Sequence, residues 1–231
     1  AVSLTAGQTA TLRWTISNGT CSSADDVVIT NYIQPTTPTI KSIVQSTCTV
    51  LTGTIVFVEQ NNVEYSINNT DWQSSNTFNN VQPGNYTLYV RNKSNVSCIT
   101  NSTDIIKINN AICAVDDNFG PINGNAGGTT QSVIGNDQLN GKAVVIGTHP
   151  GEVTLSIVTV PSGLTLNADG TISVAANVAE GTYDVEYKIC EVTNPSNCDQ
   201  ATAQVLVIAA PIDAVDDNFG PINGNAGGTT Q

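Results

Sequence analysis

The chain is expected to be all-β, built from tandem β-sandwich domains arranged as beads on a string. Three observations lead there: its composition, its alternating segments cut by turns, and a direct repeat one domain apart. Apolar residues make up 39% and charged residues 11% of the 231 positions. Thr, Asn, Ser, Val, Ile and Gly dominate the composition, a mixture that suits strands with polar outer faces and Asn/Gly turns. It suits helices poorly, because β-branched residues lose rotamer freedom there and Asn and Gly are weak helix formers. Residues 114–131 read AVDDNFGPINGNAGGTTQ, and residues 214–231 repeat them letter for letter at an offset of 100. That period is one sandwich-sized domain, not the short unit of a solenoid.

The elements follow in order. Thr11-Leu12-Arg13-Trp14-Thr15-Ile16 alternates, turns at Asn18-Gly19, and resumes at Asp25–Ile29. Residues 1–33 are therefore expected to be the C-terminal part of an upstream β-domain. Gln34-Pro35-Thr36-Thr37-Pro38 reads as a stiff linker or the start of an edge strand. Residues 34–112 form the next sandwich, with strands expected at Thr54–Val58, Val63–Ile67, Tyr86–Val90 and Asp104–Ile108. Residues 113–212 form the repeat unit, with strands at Ala143–Ile146, Val153–Val158, Gly163–Leu166, Thr171–Val174, Tyr183–Ile189 and Ala201–Val207. Asn167-Ala168-Asp169-Gly170 is a strong hairpin turn, since Asp and Gly accept positive φ. Residues 213–231 open the next, truncated copy. Short strands with turns every 8–12 residues point to immunoglobulin-like sandwiches.

Six cysteines occur, with no CxxC pair and only one histidine, His149, so a Cys/His zinc set is not available. Oxidised, secreted cysteines fit better. Cys190 and Cys198 flank a short inter-strand loop, and a bridge there contributes about 2.5 kcal/mol by chain entropy. Cys48 and Cys98 bracket most of residues 34–112, and a bridge between them contributes about 4 kcal/mol. Cys21 is expected to pair upstream. Cys113 stands where the next copy has Asp213, and its fate stays open between Cys21 and a free thiol.

Net charge is −12. Residues 34–112 carry four acids against four bases, whereas residues 113–212 carry ten acids against two lysines, a balance of −8. An acidic surface repels phosphate backbones, which argues against nucleic acid as a partner. No run of 18 apolar residues exists, so no membrane span is expected. Catalysis has little to use. His149 lies in the turn Gly147-Thr148-His149-Pro150-Gly151, and Asp184 and Glu186 alternate outward on a strand. Gly124-Asn125-Ala126-Gly127-Gly128 lacks a lysine and a following helix, so it reads as a flexible turn and not a phosphate loop.

Two other chemistries deserve weighing. Asp116, Asp117, Asn136 and Asp137 form two oxygen-rich clusters that could converge on calcium, which takes six to eight oxygen ligands. The competing reading is that Asp117 and Asp137 cap turns through local backbone. Trp72, in Asn69-Thr70-Asp71-Trp72-Gln73, is the best candidate for stacking on a sugar, with core packing as the alternative. Sequons occur at Asn18, Asn68, Asn85, Asn92, Asn95 and Asn101, several of them expected by chance in so Asn-rich a chain.

Several stretches resemble modules of large Bacteroidota surface proteins. In residues 34–112 these are Ser46–Ile55, Tyr65-Ser66-Ile67, Trp72-Gln73, Phe78 and Val81–Leu88. The repeat unit looks like bacterial cadherin-like and fibrillar-adhesin repeats through Ala114–Asp117, Ile134–Asp137, Leu166–Ile172 and Gly181-Thr182-Tyr183. Residues 1–31 are similar to the tail of a PKD-like domain. The combination resembles giant adhesins exported by the type IX system, including SprB-type gliding-motility adhesins. That resemblance implies a bacterial outer surface, a structural stalk serving attachment or gliding, and no enzyme activity. It implies neighbouring domains of the same chain as partners, with surface glycans or the outer-membrane export and motility machinery as further ones. Only loosely does it imply calcium. The alternatives are a carbohydrate-binding or spacer module of a secreted enzyme, or a subunit of an extracellular filament.

Overall fold

A computed structural model describes residues 2–209 and Asn225. The described residues contain strands and turns and no helix. The expected next copy at 213–231 lies outside them, apart from Asn225. Contacts divide the chain into two compact units, Ala1–Val115 with Ile134–Ser156 and Lys188–Gln200, and Asp116–Val133 with Ile157–Tyr187 and Ala201–Gln231.

In the first unit, β1 (Thr9–Ser17) and β2 (Ser22–Thr30) form an antiparallel hairpin, with Thr9 opposite Thr30 and Ser17 opposite Ser22. Asn18 closes its turn, its Oδ1 accepting from Cys21 N at 2.9 Å. Directly opposed residues share a face. Leu12 and Val27 therefore stand on one side with Trp14 and Ile16, and all four are exposed.

Residues 40–108 build a sandwich of two antiparallel sheets. One has the order β3 (Ile40–Val44), β4 (Gly53–Phe57), β6 (Thr77–Val81); the other β5 (Val63–Ser66), β7 (Gly84–Asn92), β8 (Asn95–Ile108). The period of two decides which side chains meet. Ile55 and Phe57 point inward from β4, Val81 from β6, Val63 and Tyr65 from β5, Leu88 and Val90 from β7, and Ile108 from β8. The Phe57 ring meets Tyr65 edge-on at 5.2 Å, an arrangement that aromatic quadrupoles favour. The Tyr65 hydroxyl accepts from Gln60 N at 2.7 Å, so the buried ring keeps its polar end satisfied.

Pro35 and Pro38 are buried, and Gln34–Thr36 is not a free linker. Gln60 holds Thr36 through both amide atoms, Nε2 donating to Thr36 O and Oε1 accepting from Thr36 N. Thr100 donates to Pro35 O, Gln34 to Ile99 O and Asn92 to Ile33 O.

Also in the first unit, β9 (Ile112–Cys113) pairs with β12 (Gln138–Leu139), which pairs with β13 (Lys142–Ala143). The remaining strands are β10 (Asp117–Asn123), β11 (Gly128–Ser132), β14 (Val153–Thr159), β15 (Leu164–Leu166), β16 (Thr171–Val174), β17 (Gly181–Glu191) and β18 (Asn194–Ile208). Their sheets run β10-β18-β17-β14 and β11-β16-β15. In the second unit, Val133, Leu164, Leu166, Ile172, Val174, Val185, Tyr187, Ala203, Val205 and Val207 are buried, again every second residue along each strand. The Tyr187 hydroxyl donates to Val133 O at 3.0 Å. β10 runs parallel to β18, and its register shifts between Phe119 and Ile122. Pro121 lies in that interval and has no N–H to give the ladder.

The flexible turn expected at Gly124–Gly128 is instead pinned. Gly124 N donates to Ile208 O at 2.9 Å and Gly124 O accepts from Val178 N at 3.1 Å. A Cβ on Gly124 would stand 2.2 Å from Val178 O, so the glycine is there for close backbone approach.

Candidate functional site: a stapled junction at residues 109–115

Strand β8 ends at Ile108, and the chain passes through Asn109-Asn110-Ala111 into β9. A free linker would leave these backbone groups to water. Here protein groups take them. Gln45, beyond β3, donates Nε2 to Lys107 O (3.0 Å) and accepts at Oε1 from Asn109 N (2.7 Å). Ser46 donates to Asn109 O at 2.6 Å. Asn140, held at φ 51°, accepts from Ala111 N at 2.9 Å and returns its own N–H to Ala111 O at 2.7 Å. Ala114 N donates to Asp199 Oδ2 at 3.0 Å and Val115 N to Asp137 Oδ1 at 2.8 Å.

Around this segment the side chains form a polar network. Glu191, at the end of β17, is only 4% exposed. Its Oε1 accepts from Asn110 Nδ2 and from Thr193 Oγ1 (2.7 Å), and its Oε2 from Asn197 Nδ2 (3.1 Å). Asn197 Nδ2 also reaches Asn110 O at 2.8 Å, and Asn194 Nδ2 reaches Asn109 Oδ1 at 3.1 Å. A buried carboxylate is tolerated only when donors replace its water, and three do so here.

Two disulfides brace the same segment. Cys190 and Cys198 close the β17–β18 hairpin with Cα atoms 4.1 Å apart, as the short loop between them led us to expect. The other bridge corrects the expected pairing of Cys48 with Cys98. Cys48 bonds Cys113, with Cα atoms 5.6 Å apart. The reason is strand geometry. Cys48 sits in the β3–β4 loop with its Sγ 3.5 Å from Ile112 O, and Ser46 of the same loop holds Asn109, just past the C-terminal end of β8. Cys98 sits near the N-terminal end of β8, ten positions before Ile108, which at ~3.3 Å per residue puts it roughly 30 Å away along the strand. A disulfide cannot join Cα atoms more than about 7 Å apart. Cys21 and Cys98 are unbridged among the described residues, and Cys21 is exposed.

The other expected site residues are placed as follows. Asp116 Oδ1 accepts from Thr202 N at 2.8 Å. Asp117 Oδ2 lies 3.3 Å from the Tyr187 hydroxyl, a longer approach than the 3.0 Å to Val133 O, with which it shares that single hydrogen. Asp137 is 1% exposed and holds Val115 N, while Asn136 is exposed. No group of three His, Cys, Asp or Glu side chains is placed to hold a metal ion among the described residues. Asp116 and Asp137 each accept a backbone N–H.

Trp72 is half-buried on the outer face of the β5-β7-β8 sheet, with the Arg91 guanidinium 4.3 Å from its ring centroid. Arg91 in turn donates to Glu64 Oε2 from Nε (2.8 Å) and Nη2 (2.7 Å), and Glu64 and Arg91 are cross-strand neighbours. One face of the indole is therefore taken by a cation–π contact inside the fold. His149 is exposed, and its Nδ1 lies 3.2 Å from Glu152. The His149 backbone N–H holds the Glu152 carboxyl below its usual range.

Sequence reasoning missed the junction network altogether. The one available signal is the Asn109-Asn110 doublet three residues before Cys113. No helix of the described residues is long and apolar enough to cross a membrane.

No protein-family model matches the chain, and no curated protein matches it. Among solved structures it is similar to mouse cadherin-23 EC22-24, at 12% identity over 87% of this chain and 74% of that one, with a TM-score of 0.32. It is similar to the human desmocollin-1 ectodomain at 13% identity over 67% and 36%, with a TM-score of 0.34. A third is a SusE-like surface-located polysaccharide-binding protein from the Bacteroides thetaiotaomicron heparin utilisation locus, at 14% identity over 89% and 33%, with a TM-score of 0.32. The chain spans less than half the length of the last two.

Proposed function

We propose that this chain is a load-bearing spacer, the structural stalk of a large secreted cell-surface adhesin that serves attachment or gliding. The observation that carries the reading is the junction at Asn109–Val115, where a disulfide and a hydrogen-bonded amide network replace a free linker. A spacer that must hold its reach needs joints that do not hinge, and this one spends two cysteines and a buried carboxylate on that end. Disulfides suit an extracellular, oxidising setting. The duplicated segments at 114–131 and 214–231 suit a chain that grows by adding whole domains. On this reading the partners are neighbouring domains of the same chain, with glycans or the outer-membrane machinery contacted elsewhere.

The test is replacement. In the parent protein, exchanging this region for an unrelated rigid spacer of equal span should preserve attachment, whereas deleting it should weaken attachment. Loss of attachment with the equal-length spacer would show that the region carries a ligand of its own, and would overturn the proposal.

A further inference from the structure

The pairing of Cys48 with Cys113 has a mechanical consequence, which rests on the load-bearing reading above. We infer that this disulfide is a covalent force bypass around the 40–108 sandwich. A pull along the chain enters near Gln34, follows β3 to Cys48, crosses the sulfur bridge, and leaves through Cys113. Everything between, from Thr49 to Ile112, hangs as a closed loop outside the load path. That loop contains β4 to β8, with the core residues Ile55, Phe57, Tyr65, Leu88, Val90 and Ile108.

The bypass is made by where the bridge ends. A bond from Cys48 to Cys98 would have returned the load to β8, leaving Ile99–Ile112 to be pulled. Cys113 instead lies in β9, immediately after the sandwich, and Asn140 and the Gln138 pairing hold that strand. Only Pro35–Cys48 can straighten while the bridge is intact. Once the bridge is open, the separation of 65 residues becomes extensible. At ~3.4 Å per residue that is about 220 Å of additional contour length. The Cys190–Cys198 bridge hides only eight positions, about 27 Å on the same scale.

The device belongs to this junction and not to the repeat array. The residue immediately before AVDDNFGPINGNAGGTTQ is Cys113 at the first copy and Asp213 at the second, so a junction between two repeats of this sequence cannot form the same bond. The Cys48–Cys113 joint is thus inextensible while oxidised and becomes extensible when reduced.

The experiment is single-molecule pulling of the full chain between marker domains, oxidised and after dithiothreitol, which is itself oxidised to its cyclic disulfide. Oxidised protein should show no release exceeding the Pro35–Cys48 segment from this sandwich. Reduction should add a step of about 220 Å. Cys113→Ser and Cys48→Ser should each show the long step without reductant, and Cys190→Ser with Cys198→Ser should not. Equal contour release in oxidised and reduced protein, with unfolding peaks still present, would overturn the bypass and leave the spacer reading standing. Featureless extension at low force in both states would overturn the spacer reading itself. If a serine variant fails to fold, the oxidised and reduced wild-type traces decide alone.

Discussion

Glu191 shows what a single buried charge contributes at the junction. Its two oxygens gather Asn110, Thr193 and Asn197, so removing it takes a shared acceptor from three donors, of which Asn110 and Asn197 are half-buried and Thr193 is exposed. Glu191→Ala should cost about 2 kcal/mol in denaturant unfolding, and Glu191→Gln less, since one oxygen remains for Asn110. Equal stability of all three proteins would mean that the network is incidental. Asp169 acts through a turn rather than a junction. The hydroxyl and the N–H of Thr171 hold its carboxyl below the ordinary 3.8. A carboxyl depressed by folding stabilises above its unfolded value and loses that contribution as pH falls through the folded one. The stabilisation should therefore be complete above pH 3.8 and disappear below it. An NMR titration should give Asp169 a midpoint below 3.8, and Thr171→Val should move it back up. A wild-type midpoint at or above 3.8 would refute this assignment.

Among the elements, alternation was legible wherever a strand is regular and faces a core. Gly53–Phe57, Val63–Ser66, Thr171–Val174 and the centre of Gly181–Glu191 all show the period of two that predicts them. The strands that escaped notice are the irregular ones. β3 shifts register between Ile40 and Ser42. β6 carries Asn80 at φ 56° and shifts between its Phe78 and Val81 pairings, so its pattern never alternates. β10 breaks at Gly120-Pro121, and β11 shifts between Thr129 and Ser132. A bulge adds one residue and flips the faces beyond it, which erases the signal that sequence reading depends on. The pinned turn after β10 gives the sharpest test at this scale. An alanine at Gly124 would push its methyl into Val178 O and within 2.9 Å of Val207 Cγ1. Gly124→Ala should cost about 1–3 kcal/mol in thermal unfolding. Gly151→Asn is the control, because nothing lies within 4 Å of a Cβ there. Equal costs at the two positions would show that backbone preference and not crowding decides.

For the whole molecule, the all-β class and the sandwich size could be read from composition, patterning and the repeat, but the connection between neighbours could not. Distance along the chain says nothing about which end of a strand a loop returns to, and that alone separates Cys113 from Cys98 as the partner of Cys48. The same blindness hides the amide network, whose members Asn110, Asn140, Glu191 and Asn197 are scattered through the sequence and gathered only by folding. The expected boundary at residue 112 falls one position before Cys113. A protein spanning 34–112 keeps every strand of its sandwich but loses the bridge, whereas one spanning 34–115 keeps both. Closing a loop of 65 residues removes unfolded-state entropy worth about 4 kcal/mol at room temperature. Oxidised 34–115 should therefore exceed 34–112 in stability by roughly that amount, and reduction should collapse most of the difference. If the two remain equal when oxidised, the sandwich gains nothing from its link to the next strand. If the difference survives reduction, the gain comes from the added Cys113–Val115 backbone itself, not from the sulfur bridge.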